Sequence, residues 1–184
     1  MASRLHRFTL GAVAGLALCL GVSQRVEAQT FHSLSFSLLG GFGGSPDAEN
    51  SDFGNTTVQA SLGVATELGT TVTLRVGRID IDAEDGFGSL SSATFDYVTL
   101  AGDYEFNEDA FRSSLFLGLG AYRVEGIQGG VTADETVPGV TFGVGADFPL
   151  TRQISLVFEL AGHWANFDDA QLFGTGLGGL SIRF

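Results

Sequence analysis

The sequence predicts an all-β fold, an eight-stranded antiparallel up-and-down transmembrane β-barrel. Three observations carry this prediction. Eight segments alternate with the two-residue period of a strand. In nearly all of them one face carries Leu, Val, Phe and Ile, while the other carries small and charged residues. The final segment, Leu180, Ser181, Ile182, Arg183, Phe184, alternates to its last residue and stops on an aromatic side chain. Chain ends of soluble proteins usually fray, whereas an aromatic residue closing a membrane strand sits in the interfacial girdle.

Residues 1–28 read as a cleaved signal peptide: Arg4 and Arg7 precede an apolar run from Phe8 to Val22, and Ala28 offers a small residue for cleavage. The run is too short for a transmembrane helix. Leu18, before Cys19, is too large for a lipoprotein site, so the mature chain 29–184 forms one barrel domain without cysteine chemistry. Net charge is −12, becoming −14 once Arg4, Arg7, Arg25 and Glu27 leave with the leader. So acidic a chain lacks the basic surface that phosphates require, which excludes nucleic acid as a partner. The 27 glycines and 3 prolines follow no collagen period, and glycine within alternating segments marks strands with little room on one face.

Strand one, about 32–43, sets Leu34, Phe36, Leu38 and Phe42 against Ser33, Ser35 and Ser37. The polar stretch Gly44 to Thr56 is a loop. Strand two, about 57–67, sets Val58, Ala60, Leu62 and Val64 against Gln59, Ser61, Gly63 and Ala65. A short turn, Leu68 to Thr70, leads to strand three, about 71–82, with Val72, Leu74 and Val76 opposite Thr73, Arg75 and Gly77. Ala83 to Ser92 is the second loop. Strand four, about 93–106, groups Val98, Leu100, Tyr104 and Phe106 against Thr99, Ala101, Asp103 and Glu105. After a turn at Asn107 to Ser113 comes strand five, about 114–126. It sets Leu115, Leu117, Leu119 and Ala121 against Phe116, Gly118, Gly120 and Tyr122, and alternation alone leaves its orientation open.

Ile127 to Glu135 is the third loop. Strand six, about 136–148, sets Val140, Phe142, Val144, Ala146 and Phe148 against Thr141, Gly143, Gly145 and Asp147. Pro149 to Arg152 turns the chain into strand seven, about 153–165, where Ile154, Leu156, Phe158, Leu160 and Trp164 oppose Ser155, Glu159, Ala161 and His163. Asn166 to Gln171 is the fourth loop, and strand eight runs from about 172 to Phe184. Long loops and short turns thus alternate, and strands of about 9–11 residues suffice to cross a bilayer when tilted.

A soluble eight-stranded barrel of the lipocalin kind packs its large apolar residues inward. Here that arrangement would leave Gly, Ser and Ala on one face and the charges Arg75, Asp103, Asp147, Glu159 and Arg183 in a dry core, at high cost. With the large residues turned to lipid, these five form a charge network inside the lumen, with Glu67 and Glu105 nearby. Closure into a barrel then pairs every backbone group. Gly63, Gly77, Gly143 and Gly145 either widen the lumen or relieve crowding around arginines and aromatics. Trp164, alternating with Phe158 and Leu160, is an interfacial anchor.

The chain resembles the small eight-stranded outer-membrane β-barrel proteins of Gram-negative bacteria, the OmpA/OmpX-like group. The likeness covers 29–184 and rests on the leader, the eight alternating strands, the long-short connection rhythm and terminal Phe184. It implies an outer-membrane location and a monomer surrounded by outer-membrane lipid and lipopolysaccharide, escorted by periplasmic chaperones. It also implies that Leu180, Ile182 and Phe184 form the signal read by the barrel-assembly machinery, with short turns in the periplasm and long loops outside. No peptidoglycan-binding domain follows the barrel, so a wall-anchoring role does not carry over.

Asp80, Asp82, Glu84, Asp85 and Gly86 invite a calcium reading, but glycine comes seventh rather than sixth and Ser91 takes the place of the bidentate glutamate. The stretch reads as a solvated acidic loop, with a loose divalent-cation site at the rim as the alternative. With Asp47, Glu49, Asp52, Asp134, Glu135, Asp168 and Asp169, it makes a negative rim that concentrates cations. His163 with Glu159 is similar to a pattern in outer-membrane lipid A deacylases, yet the serine two residues on is Ala165 here, so no nucleophile is present. A rim histidine bonded to a lumen carboxylate is the expectation. No cofactor motif is present. The sequence therefore predicts a structural or surface-interaction protein without catalysis. A small cation or water pore is the alternative, and a lipid-modifying enzyme comes third.

Overall fold

The computed structural model describes residues 33–45, 54–66, 69–81, 93–107, 111–128, 131–167 and 172–184. The expected leader 1–28 with Cys19, Glu67 and the acidic residues 47, 49, 52, 82, 84, 85, 168 and 169 lie outside them. Eight strands follow in chain order: β1 Ser33–Gly44, β2 Asn55–Ala65, β3 Thr70–Ile81, β4 Ala93–Asn107, β5 Arg112–Gln128, β6 Val131–Pro149, β7 Ile154–Ala165 and β8 Leu172–Arg183. Each is antiparallel to its neighbour, and β8 pairs with β1 to close the barrel. Phe184 continues the seam beyond β8, its N–H donating to the Leu34 carbonyl at 2.8 Å.

Cross-strand partners climb around the wall. From Ser35 they run through Gly63, Thr73, Ala101, Gly118, Thr141, His163 and Phe173, and the same register returns to β1 at Ser45, ten residues on. With ~3.3 Å per residue and ~4.8 Å between strands, that stagger tilts the strands by roughly 40° and sets a backbone radius of about 8 Å. Such an interior is filled by side chains.

Alternation decides which side chains those are. The outward residues are the large apolar ones, with Leu117 64% and Leu119 70% exposed, while the inward Arg75 is 4% exposed. A soluble barrel has the opposite arrangement, so the outer surface is a lipid-facing belt. β5 turns its leucines outward and Phe116 and Tyr122 inward, which resolves the orientation left open by its sequence. At the end of the barrel carrying the short turns, the Tyr104–Phe106 and Phe111–Phe148 ring pairs, 4.9 and 5.3 Å between centroids, form an aromatic girdle. The β2–β3 turn holds Gly69 at φ 70°, a conformation that L side chains rarely adopt.

One connection differs from expectation. The predicted loop Ile127 to Glu135 is largely paired strand: β5 and β6 continue in register through Gly126↔Ala133 to Gln128↔Val131. Of the residues that suggested a loop, Asp134 and Glu135 are exposed on paired strand above the apolar belt, where outward positions turn polar and the alternation signal fades.

Candidate functional site

The interior is layered between the turn end and the loop end. At the turn end, serines and threonines, among them Ser35, Ser37, Ser61, Ser114 and Thr73, line a polar cavity of about 100 Å³. Arg112 donates to Asp147 at 2.9 Å, and Arg183 approaches the other oxygen of the same carboxylate at 3.7 Å.

Deeper in, β3 presents Arg75, β4 presents Asp103 and β7 presents Glu159, because all three occupy inward positions of their strands. Arg75 forks onto Asp103 through Nη1 and Nη2, at 3.2 and 2.9 Å, and its Nε donates to Glu159 at 3.1 Å. The guanidinium lies 4.1 Å from the centre of the Phe116 ring. Thr73 donates to Asp103 at 2.7 Å, and Gln59 donates to the second oxygen of Glu159 at 3.0 Å. Tyr97 in turn donates its hydroxyl to Gln59 at 2.7 Å. A buried charge is tolerated when it is paired and its remaining polar atoms are bonded, and this network meets that condition across four strands.

The five charges named from the sequence therefore fall into separate groups. Arg75, Asp103 and Glu159 meet in the middle, whereas Asp147 and Arg183 meet near the turn end together with Arg112, which the sequence reading did not include. Glu105 accepts from Thr71 at 2.7 Å rather than from an arginine.

The loop half of the interior is packed with aromatic side chains. Phe95 stacks on Phe173 at 4.0 Å and touches Tyr122 and Phe167 at 5.6 and 6.0 Å between ring centres. Ile79, Ala93, Val124 and Ala165 complete a buried apolar plug. Sequence reasoning missed this plug, although a signal was present: Phe95, Tyr97, Phe116, Tyr122 and Phe173 all share the parity of the inward small residues. Phe167, expected in a loop, is buried in it.

His163 is also not where the sequence placed it. It is fully buried rather than at the rim, its ring 4.6 Å from that of Tyr97, and its Nδ1 lies 3.4 Å from the Tyr122 hydroxyl instead of bonding a carboxylate. The inward glycines serve these rings. A Cβ on Gly77 would collide with Tyr97, and one on Gly143 with Phe116. Close packing of rings, not a wider lumen, is what glycine permits at those two positions.

Outside the belt, at the loop end, the wall of β3 to β6 carries paired charges. Arg78 binds Asp96 at 2.7 and 3.0 Å, and Arg123 binds Asp134 at 2.8 and 2.9 Å and Glu125 at 3.0 Å. The hydrogen bond from Arg123, with its charge, holds the Asp134 carboxyl below the usual carboxylate range. Asp80, Glu125 and Glu135 leave the described part of this rim acidic. Trp164 faces outward on β7, opposite Val140 on one side and Leu172 on the other. Among the described residues no cluster of His, Cys, Asp and Glu could hold a metal ion.

Comparison with known proteins agrees with this geometry. A sequence model of the outer membrane protein beta-barrel domain matches residues 13–180. No curated protein matches the chain. Among solved structures, the N-terminal β-barrel domain of Pseudomonas aeruginosa OprF is similar, with 16% identity over 84% of this chain and 98% of that one and a TM-score of 0.61. Neisserial surface protein A is similar at 13% identity, 83% and 96% coverage and a TM-score of 0.64. Ail, the attachment invasion locus protein of Yersinia pestis, is similar at 15% identity, 83% and 97% coverage and a TM-score of 0.55.

Proposed function

Because the chain belongs to the outer membrane protein β-barrel family, we propose that it is a monomeric, non-conducting and non-catalytic barrel of the outer membrane that works through its exposed rim. One observation carries the reading: the interior is closed in the middle by the Arg75 network and at the loop end by the Phe95 plug, beyond the small polar cavity of the turn end. An eight-stranded lumen has no room for a solute path beside such side chains. The pore alternative therefore has no support in the geometry. The enzyme reading lacks a nucleophile, since Ala165 stands two residues after a fully buried His163.

In this reading residues 1–28 direct export and are removed. Leu180, Ile182 and Phe184 on the closing strand present the pattern read by the assembly machinery, and Trp164 anchors the belt at the outer interface. Lipopolysaccharide surrounds the loop end. Ail has been crystallised with the heparin analogue sucrose octasulfate. The described rim here carries Asp80, Asp96, Glu125, Asp134 and Glu135 against Arg78 and Arg123, so its chemistry favours cationic partners over such polyanions.

Two measurements on refolded protein test the proposal. Planar bilayers should record no stable conductance, and a reproducible channel would overturn the non-conducting reading. Proteoliposomes should retain a lysine-rich peptide in a salt-sensitive manner and leave heparin unbound; heparin binding would refute the rim assignment. Unchanged lipid A masses in cells with and without the protein would remove the enzyme reading.

A further inference from the structure

The lipid-facing wall is not uniform. On the closing seam, outward positions that elsewhere hold Leu or Val hold glycine. Gly40 on β1 pairs with Gly178 on β8, and the next outward pair is Phe42 with Gly176. On the far side of β8, Gly178 pairs with Phe158 and Gly176 with Leu160 of β7. The result is a groove of about 450 Å³ lined by Gly40, Gly176, Gly178, Phe42, Phe158 and Leu160, open over Gly40, with the Phe42 ring leaning over Gly176 and the Phe158 ring over Gly178. Its lining is apolar except where backbone shows through. It lies inside the belt, between Leu38 and Leu180 toward the turn end and Trp164 toward the loop end.

We infer that this groove seats a single acyl chain of a membrane lipid, held in a fixed place while neighbouring lipids exchange over the rest of the wall. The inference rests on the lipid-facing orientation of the wall and not on the proposed role of the rim. Apolar surface gains nothing by leaving lipid for protein, so what draws an occupant into a concave site within a bilayer is contact. A depression left unfilled forfeits the dispersion contacts of its lining. The groove is continuous with the belt, where acyl chains are the solvent, and a flexible unbranched chain can follow the open backbone at Gly40 between the Phe42 and Phe158 rings.

A second copy of the chain fits poorly. Leu117 and Leu119, the most exposed leucines among the described residues, stand on β5, four strands from β1 and three from β8, and thus on the opposite wall. Inserting that ridge into the groove joins different surfaces head to tail, and such contacts give an open chain rather than a closed dimer.

The test uses refolded full-length barrel in phosphatidylcholine vesicles containing a trace of phosphatidylcholine spin-labelled near the end of one chain. Gly40→Leu fills the groove. A Cβ at Gly40 has no neighbour nearer than 3.9 Å, so the fold accommodates it. Phe158→Ala removes one wall without adding bulk. Gly102→Leu is the control, because Gly102 faces lipid on β4 with nothing within 4 Å of a Cβ. Gly40→Leu and Phe158→Ala should each lower the motionally restricted lipid by one chain per barrel, while Gly102→Leu matches the unaltered protein. Equal restricted populations in all four proteins would overturn the inference. So would cross-linking that captures oligomers of the unaltered barrel and loses them in Gly40→Leu, since a second copy would then be the occupant.

Discussion

Replacing Arg75 by methionine removes the cation shared by Asp103 and Glu159 while keeping a flexible apolar stem in its place. The two carboxylates stay where they are, with side-chain exposures of 12% and 8%. Losing one partner from a buried ion pair costs about 3–5 kcal/mol, most of it from the charge left behind. With a urea dependence of ~2 kcal/mol per molar, a loss of about 4 kcal/mol moves the unfolding midpoint down by roughly 2 M. Trp164 is the single tryptophan, so its fluorescence reports unfolding from bilayers without added labels. The combined variant Arg75→Met, Asp103→Asn, Glu159→Gln should recover more than half of the loss, because no uncompensated charge remains. A midpoint shift below ~0.5 M for Arg75→Met, at unchanged slope, would refute the view that this network carries interior stability.

Gly77→Val should cost about 1–3 kcal/mol by overpacking against Tyr97, whereas Gly102→Val should leave the urea midpoint unchanged. The carboxyl of Asp134 is depressed in the folded state, so the Arg123 clamp contributes above the ordinary carboxylate pKa and is lost as pH falls through the lower, folded value. Protease cleavage of the β5–β6 hairpin in proteoliposomes should therefore stay level from pH 7 down to the ordinary carboxylate pKa and rise only below it, and Asp134→Asn should abolish that rise. Phe184→Ser should reduce the barrel recovered in outer membranes several-fold while leaving refolding into detergent intact; equal losses in both would make Phe184 a stability residue and not an assembly signal.

Alternation made the fold legible because a membrane barrel separates its two faces more sharply than a soluble sheet does. The outward residues on β1 through β4 could be named from parity alone. Parity says nothing about height, however. Arg75 and Arg183 share the inward face, yet the stagger of the strands sets them at different depths, so one meets Asp103 and Glu159 and the other Asp147. The same limit hid the plug, since Phe95 and Phe173 lie far apart in sequence and stack only because the register climbs as it goes round. His163 was misplaced for the same reason: the end of β7 is level with the aromatic layer and not with the rim. The β5–β6 hairpin escaped because its outward positions above the belt, Arg123, Glu125 and Asp134, turn polar, which removes the hydrophobic contrast on which the reading depended.

The seam joins residues far apart along the chain, Leu34 to Phe184 and Ser35 to Arg183. Contacts of such sequence separation form late, after most of the chain has been ordered. Until they form, β1 and β8 each offer a row of bare amides and carbonyls to hydrocarbon, which no partial sheet can tolerate. Insertion and closure must therefore proceed together, and a half-built barrel has no resting place within the bilayer. The glycines along this seam give the last step light strands to bring together, with few side-chain rotamers to freeze at the moment the ring shuts.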